Sequence, residues 1–166
     1  MPVAHTAALF TGMRLTEAYL WPSPFAESPA KWGKHYADAF TQPPVFHPDR
    51  RAFEWDGDRY TINVFGHGLL GSELFYRARR CNSGFWGALL FATSASAVWE
   101  YGFEANGVRP SALDLVYTPI AGLALGEARY WGQHAARSIH SPGVRWIVTA
   151  LLDPFGEFER GLGAPC

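Results

Sequence analysis

Charge is scarce in this 166-residue chain: Asp, Glu, Lys and Arg make up 17% of it, against about 25% in an average soluble domain. Neither sign prevails, since 14 basic residues stand against 15 acidic ones for a net charge of −1. No global field then draws in a polyphosphate backbone, which argues against nucleic acid as a partner. Cysteine is also nearly absent. Cys81 and Cys166 are too few for a disulfide framework and leave the redox compartment open, and Cys166, as the last residue, is expected to be loose. The first twenty residues lack the basic start and unbroken apolar run of a secretory signal. The chain thus reads either as cytosolic or as a mature protein whose signal has been removed. Long apolar runs are missing as well: the uncharged stretch 81–99 is interrupted by Asn82, Ser83, Thr93, Ser94 and Ser96. A buried helix, or one lying against lipid, explains it better than a bilayer span, which needs roughly 20 mainly apolar residues. Finally, no Gly-x-Ser-x-Gly elbow, phosphate loop, dinucleotide fingerprint or His-Glu-x-x-His motif occurs.

What is present is apolar bulk. Aromatics reach 16%, with seven Trp, so an unusually apolar surface is expected. The length suits one domain able to bury a core without metal or disulfide.

Six of the twelve prolines lie between positions 21 and 58: Pro22, Pro24, Pro29, Pro43, Pro44 and Pro48. They break regular structure repeatedly, and residues 1–58 read as a wrapping segment with one short helix near 31–40. Residues 59–163 read as the helical core of the same domain. Ile62, Phe65, Leu69 and Leu70 recur at helical spacing, which predicts a helix over 60–80. A second helix runs from 84 to about 104, capped by Asn82 or Ser83 and ended by Asn106-Gly107. Its small residues Gly84, Ala88, Ala92 and Ser96 form a groove on one face, and Gly122 and Gly126 repeat that spacing as its expected partner. A third helix starts with Ser111 as N-cap and Asp114 as a capping-box acid, running toward Arg129 or beyond with a kink at Pro119. Residues 144–158 form a last amphipathic segment, bent at Pro154. The fold class is mainly α, a compact bundle of four to six helices.

Polar residues on such apolar helices need partners. His67 and Asn63 share one face a turn apart, and this calls for hydrogen bonds rather than water. A satisfied core histidine is the commoner outcome in that setting, and a ligand the rarer one. Glu100 and Glu104 are i,i+4 neighbours that repel unless a cation, a shared proton or an arginine compensates. Arginine pairing through Arg79 or Arg109 stands ahead, because the paired Glu-x-x-His motifs of di-metal bundles are absent. The metal reading needs His67 nearby, an imidazole and two carboxylates making a partial shell for zinc, manganese or iron. Asp114 reads first as a cap, and Glu127, next to Arg129, as a return to solvent.

Several ordered phrases resemble a family. They are Phe53-Glu54-Trp55-Asp56, Asn63 with Gly66-His67, Gly71-Ser72 with Ala78-Arg79, and Trp99-Glu100-Tyr101-Gly102 with Glu104. Pro110-Ser111, Asp114-Leu115, Thr118-Pro119, Gly122, Leu125-Gly126-Glu127 and Asp153-Pro154-Phe155-Gly156 complete the set. Their order and spacing resemble the bacterial cell-envelope family catalogued as domain of unknown function 3943, from about Arg14 to Gly163. The resemblance implies an exported protein of the Gram-negative envelope, periplasmic or membrane-associated, with no activity attached. It singles out Asn63, His67, Arg79, Glu100, Glu104, Ser111, Asp114 and Glu127. The family's usual His-Pro is His67-Gly68 here, and its aromatic after Gly-Ser is replaced at Leu74.

Two functions are therefore expected to compete. One is an envelope-associated module that packs on or binds an amphiphile or outer-membrane partner through its aromatic surface. The other is a hydrolase or transferase acting on a lipid or glycan head group, with His67 as base and Glu100 and Glu104 as metal ligands or acid and base. A purely structural polar network is the third reading.

Overall fold

The computed structural model describes residues 2–161, 163 and 166. It opens with a helix the sequence pattern does not announce, α1 (Pro2–Leu20). The wrapping segment thus begins with ordered structure, and its buried face is small: Thr6 and Phe10. Phe10 meets Trp99 and Phe103 edge-on at 5.1 and 5.3 Å. A single turn, α2 (Pro22–Phe25), and the expected short helix, α3 (Pro29–Thr41), come next. Pro29 at the first position and the Ser28 side chain, which accepts from Ala30 N–H, start α3. The proline-rich loop after it is pinned by one parallel bridge, in which Val45 N–H donates to Pro110 O and Ala112 N–H to Val45 O.

The core consists of the three predicted rods, each interrupted by a wider π-helical turn. A π turn at Ile62–Gly66 leads into α4 (His67–Arg80), and α5 (Phe85–Val98) runs on into a π turn at Trp99–Glu104. Helix α6 (Ala112–Ala121) passes through a third π turn, Gly122–Gly126, into α7 (Glu127–Ala136). The chain closes with α8 (Pro142–Leu152) and α9 (Pro154–Gly161), separated where Pro154 has no N–H to continue a helix. There are more helices than the four to six expected, because both terminal stretches divide further. α6 continues through Pro119, and the departure from α geometry comes at the π turn after it rather than at the proline. Among the described residues there is no β-strand, and no helix is long and apolar enough to cross a membrane.

α4 is buried nearly all round, from His67 to Ala78 with Leu69 as the exception, which makes it the central rod. Leu70, Leu74 and Phe75 of α4, Ala88, Ala92 and Ala95 of α5, and Phe10 and Trp99 form the apolar core. The small-residue groove packs differently from expectation. Ala88, Ala92 and Ser96 are buried, but Gly122 and Gly126 lie against α4. A methyl group at Gly71 would overlap the Thr118 carbonyl, and one at Gly122 would overlap the Gly71 carbonyl. Sequence spacing marks faces that tolerate close approach without telling which faces meet. Cys166 is tied down, not loose: it forms a disulfide with Cys81 at the end of α4, with Cα atoms 4.9 Å apart.

Candidate functional site

Two of the three irregular turns deliver polar side chains to the same place. The first carries Asn63 and sets His67 as the opening residue of α4, and the second carries Glu100 and Glu104. Such single π turns recur at functional sites, since the extra residue re-aims neighbouring side chains. Ser111 caps α6, and Asp114 and Thr118 lie beyond it on the inner face.

The expected capping box forms by an unexpected route. Ser111 Oγ accepts from Asp114 N–H at 3.1 Å, as an N-cap should. The return bond, from Ser111 N–H, goes to Glu100 Oε2 at 2.7 Å instead of to Asp114. Glu100 thus takes the capping acid's place from another helix, and the Asp114 carboxyl is released into the interior.

There it meets His67. The imidazole Nδ1 lies 3.0 Å from Thr118 Oγ1, and Nε2 lies 3.6 Å from Asp114 Oδ2. One ligand atom each from His67, Glu100 and Asp114 lie within 4.8 Å of one another. All three residues are buried. Glu100 Oε1, Asp114 Oδ1 and Asn63 Oδ1 have no hydrogen-bond partner among the described residues. A cavity of about 320 Å³ opens beside them, lined by Asp56, Asp58, Glu100, Glu104, Ser111 and Asp114 among others.

The charge here is not balanced. Among the described residues no Lys or Arg forms an ion pair with Glu100, Glu104 or Asp114. Burial pushes Glu100 up to about 8 despite the Ser111 N–H bond, with Asp56 adding to the rise. Burial, then Glu100, takes Asp114 to about 9, and the same causes lift Glu104 well above the usual carboxylate range. Burial pushes His67 down to about 4, leaving a neutral imidazole with a lone pair to offer. Asp56 is the exception among the acids. Burial would raise it, but bonds from Asp114, Ser111 and Asn63 hold it below the usual range.

The structure therefore brings together Asn63, His67, Glu100, Glu104, Ser111 and Asp114. It does not bring the arginines. Arg79 forks onto both carboxylate oxygens of Glu127, at 2.8 and 3.0 Å, and stacks over Tyr130, toward the other end of α4. Arg109 lines the acid cavity, but its guanidinium donates to Gln42 Oε1. The arginine-paired expectation for the two glutamates is thereby overturned, because those guanidinia are engaged elsewhere.

Residues that sequence reasoning passed over complete the site. Asp56 accepts from Asn63 Nδ2 at 2.7 Å and from Ser111 Oγ at 2.8 Å, joining the loop to two rods. It stands in the Phe53–Asp56 phrase, but a loop acid has no periodicity to mark it. Phe53 adopts a left-handed φ of 63°, uncommon for a bulky residue, and its carbonyl accepts from Asn63 Nδ2. Also missed was a second cluster: buried Glu73, Arg77 and Asp153 with the partly buried His5, Arg129 and Glu159, each paired with at least one other.

A family model described as Domain of unknown function (DUF3943) matches residues 52–155. No curated protein and no solved structure matches the chain.

Proposed function

We propose, since this chain belongs to the DUF3943 family over the segment that supplies every residue of the cluster, that the domain is a metal-dependent hydrolase of the polar head group of an envelope amphiphile. The observation that carries this reading is the mutual approach, within 4.8 Å, of ligand atoms from His67, Glu100 and Asp114. Three buried acids without a counter-charge are costly, and a divalent cation relieves that cost directly. Two carboxylates with one imidazole suit zinc, manganese or iron. Thr118, hydrogen-bonded to Nδ1, would fix the ring so that Nε2 faces the metal. Such an ion would lower the pKa of a bound water toward about 7. Glu104, on the same cavity, would serve as the base for that water once the ion's charge had drawn its raised pKa down.

An apolar groove supports the amphiphile part of the reading. Trp55, Leu113, Val116 and Ile120 line a cavity of about 470 Å³ on the surface, while the adjacent Asp56 and Asp114 line the acid chamber. Successive residues thus offer a seat for a chain and a seat for a head group. The Cys81–Cys166 disulfide supports an oxidising compartment, in keeping with an envelope location.

Metal analysis of the full chain, incubated in turn with zinc, manganese and iron(II), tests the proposal. One ion per chain, lost in Glu100→Gln and His67→Gln together with turnover of ester, phosphoester or glycoside reporters, is the expected result. Protein that takes up no ion, and in which Glu100→Gln costs about 3 kcal/mol, would make the cluster a structural network instead.

A further inference from the structure

Arg79 and Arg80 lie at the far end of α4 from His67, roughly 20 Å away at 1.5 Å per residue. They help to line a cavity of about 700 Å³ together with Arg137, Arg145, Arg160 and His134. Five of the chain's fourteen basic residues face one concavity whose described lining contains no Asp or Glu side chain. The two arginines on α4 are already held, Arg79 by Glu127 and Arg80 by Asp153. Arg137 and Arg145 are exposed and have no acidic partner among the described residues. In a protein of net charge −1 this is a local concentration of positive charge, not a general property of the surface. Guanidinium forks match the oxygens of a phosphate, and several converging on one cavity select an anion strongly.

The helix beside the cavity adds a second kind of information. α8 has no buried residue, and Val144, Trp146, Ile147 and Leu151 are each at least half exposed. Trp146 does both things at once, lining the arginine cavity and standing 61% exposed. Tryptophan next to basic side chains on an exposed apolar helix is the arrangement that settles at a bilayer's head-group level. A free phosphate would use the arginines and leave those four side chains in water.

We infer that the arginine cavity and the outer face of α8 together seat the phosphate head groups of an anionic lipid surface. Phosphates enter between Arg137 and Arg145, and Trp146 with its apolar neighbours enters the acyl boundary beside them. This inference does not depend on the hydrolase reading, because none of its residues touches the acid chamber.

Vesicle co-sedimentation of the full chain provides the test. Vesicles of phosphatidylcholine alone are compared with vesicles in which part of it is replaced by phosphatidylglycerol, at low and at raised salt. Binding is expected to the anionic vesicles only and to weaken as salt rises. The Arg137→Glu/Arg145→Glu double variant should lower it at least about tenfold. Trp146→Ser should weaken vesicle binding while leaving any inorganic phosphate binding, followed by calorimetry, unchanged. These residues are exposed, so far-UV circular dichroism should show the same helix content in all variants. Equal binding to both vesicle types, or full binding by the double variant, overturns the inference. So does phosphate binding at the cavity with no affinity for vesicles.

Discussion

Two buried clusters of charge lie along α4, and they are built on opposite plans. Around the middle and end of the helix, Glu73, Asp153 and Glu159 are met by Arg77, Arg129, Arg80 and His5, so that every acid has a cationic partner. Burial alone would raise Glu73, but the His5 bond, Arg129 and Arg77 outweigh it and hold the carboxyl at about 2. At the start of the helix, Glu100, Glu104 and Asp114 are likewise buried, but among the described residues no Lys or Arg pairs with them and the imidazole beside Asp114 is neutral. Arg79 is placed elsewhere, and Arg109, though it lines the same cavity, is bonded to Gln42. Balanced clusters hold elements together, whereas an unbalanced one is where the proposed cation would sit.

The sharpest way to break the contrast is Arg77→Met. It leaves three buried acids short of a partner and should cost about 3–5 kcal/mol by urea unfolding; a loss below about 1 kcal/mol would mean the paired cluster is not what secures α4. Acid comes next. The folded pKa of Glu73 lies below its ordinary 4.5, so its contribution is present above that value. It disappears as pH falls toward 2, removing about 3 kcal/mol. Melting temperature tracked from pH 6 down to 2 should drop in the wild type and much less in Glu73→Gln, measured against that variant's own lower starting point.

Adding the proposed ligand probes the other side. Saturating zinc or manganese, at about a hundred times its dissociation constant, should stabilise the domain by about 2.7 kcal/mol, and this gain should vanish in Glu100→Gln. Without metal, the same substitution should shift stability by under about 1 kcal/mol. The carboxyl is already held largely neutral, and a glutamine oxygen still accepts from Ser111 N–H. A large loss in metal-free protein would place Glu100 among the structural acids after all. Smallest is Arg109→Ala, expected within about 0.5 kcal/mol by thermal melt, since its guanidinium bonds Gln42 at the surface and not the glutamates.

The three core rods are legible because apolar residues recur with helical period and because Asn106-Gly107 and Ser111 punctuate them. Six of the polar positions that the sequence marks do meet. α1 is illegible for a physical reason: only Thr6 and Phe10 are buried over its whole length, so no stripe advertises it. Asp56 escapes notice because its place depends on a loop pinned by the distant Val45–Ser111 bridge. The partners of Arg79 and Gly122 differ from expectation for a related reason. Spacing along one helix says which side chains share a face, but Glu127 and Gly71 are brought there by the third dimension. Arg77, Arg79 and Arg80 stand so close together that nothing local reveals which of them is interior.

Each of the three π turns amounts to one residue spliced into a helix. Cutting a residue out of the stretch from Trp99 to Glu104 would let that rod run true, but rotate everything after the cut by about 100° around its axis. The tidier helix would then carry Glu104 away from the acid cavity. Regular hydrogen bonding and a convergent set of buried acids are thus alternatives for this chain, and a shortened homologue with straight rods should be a sound scaffold in which those acids no longer meet.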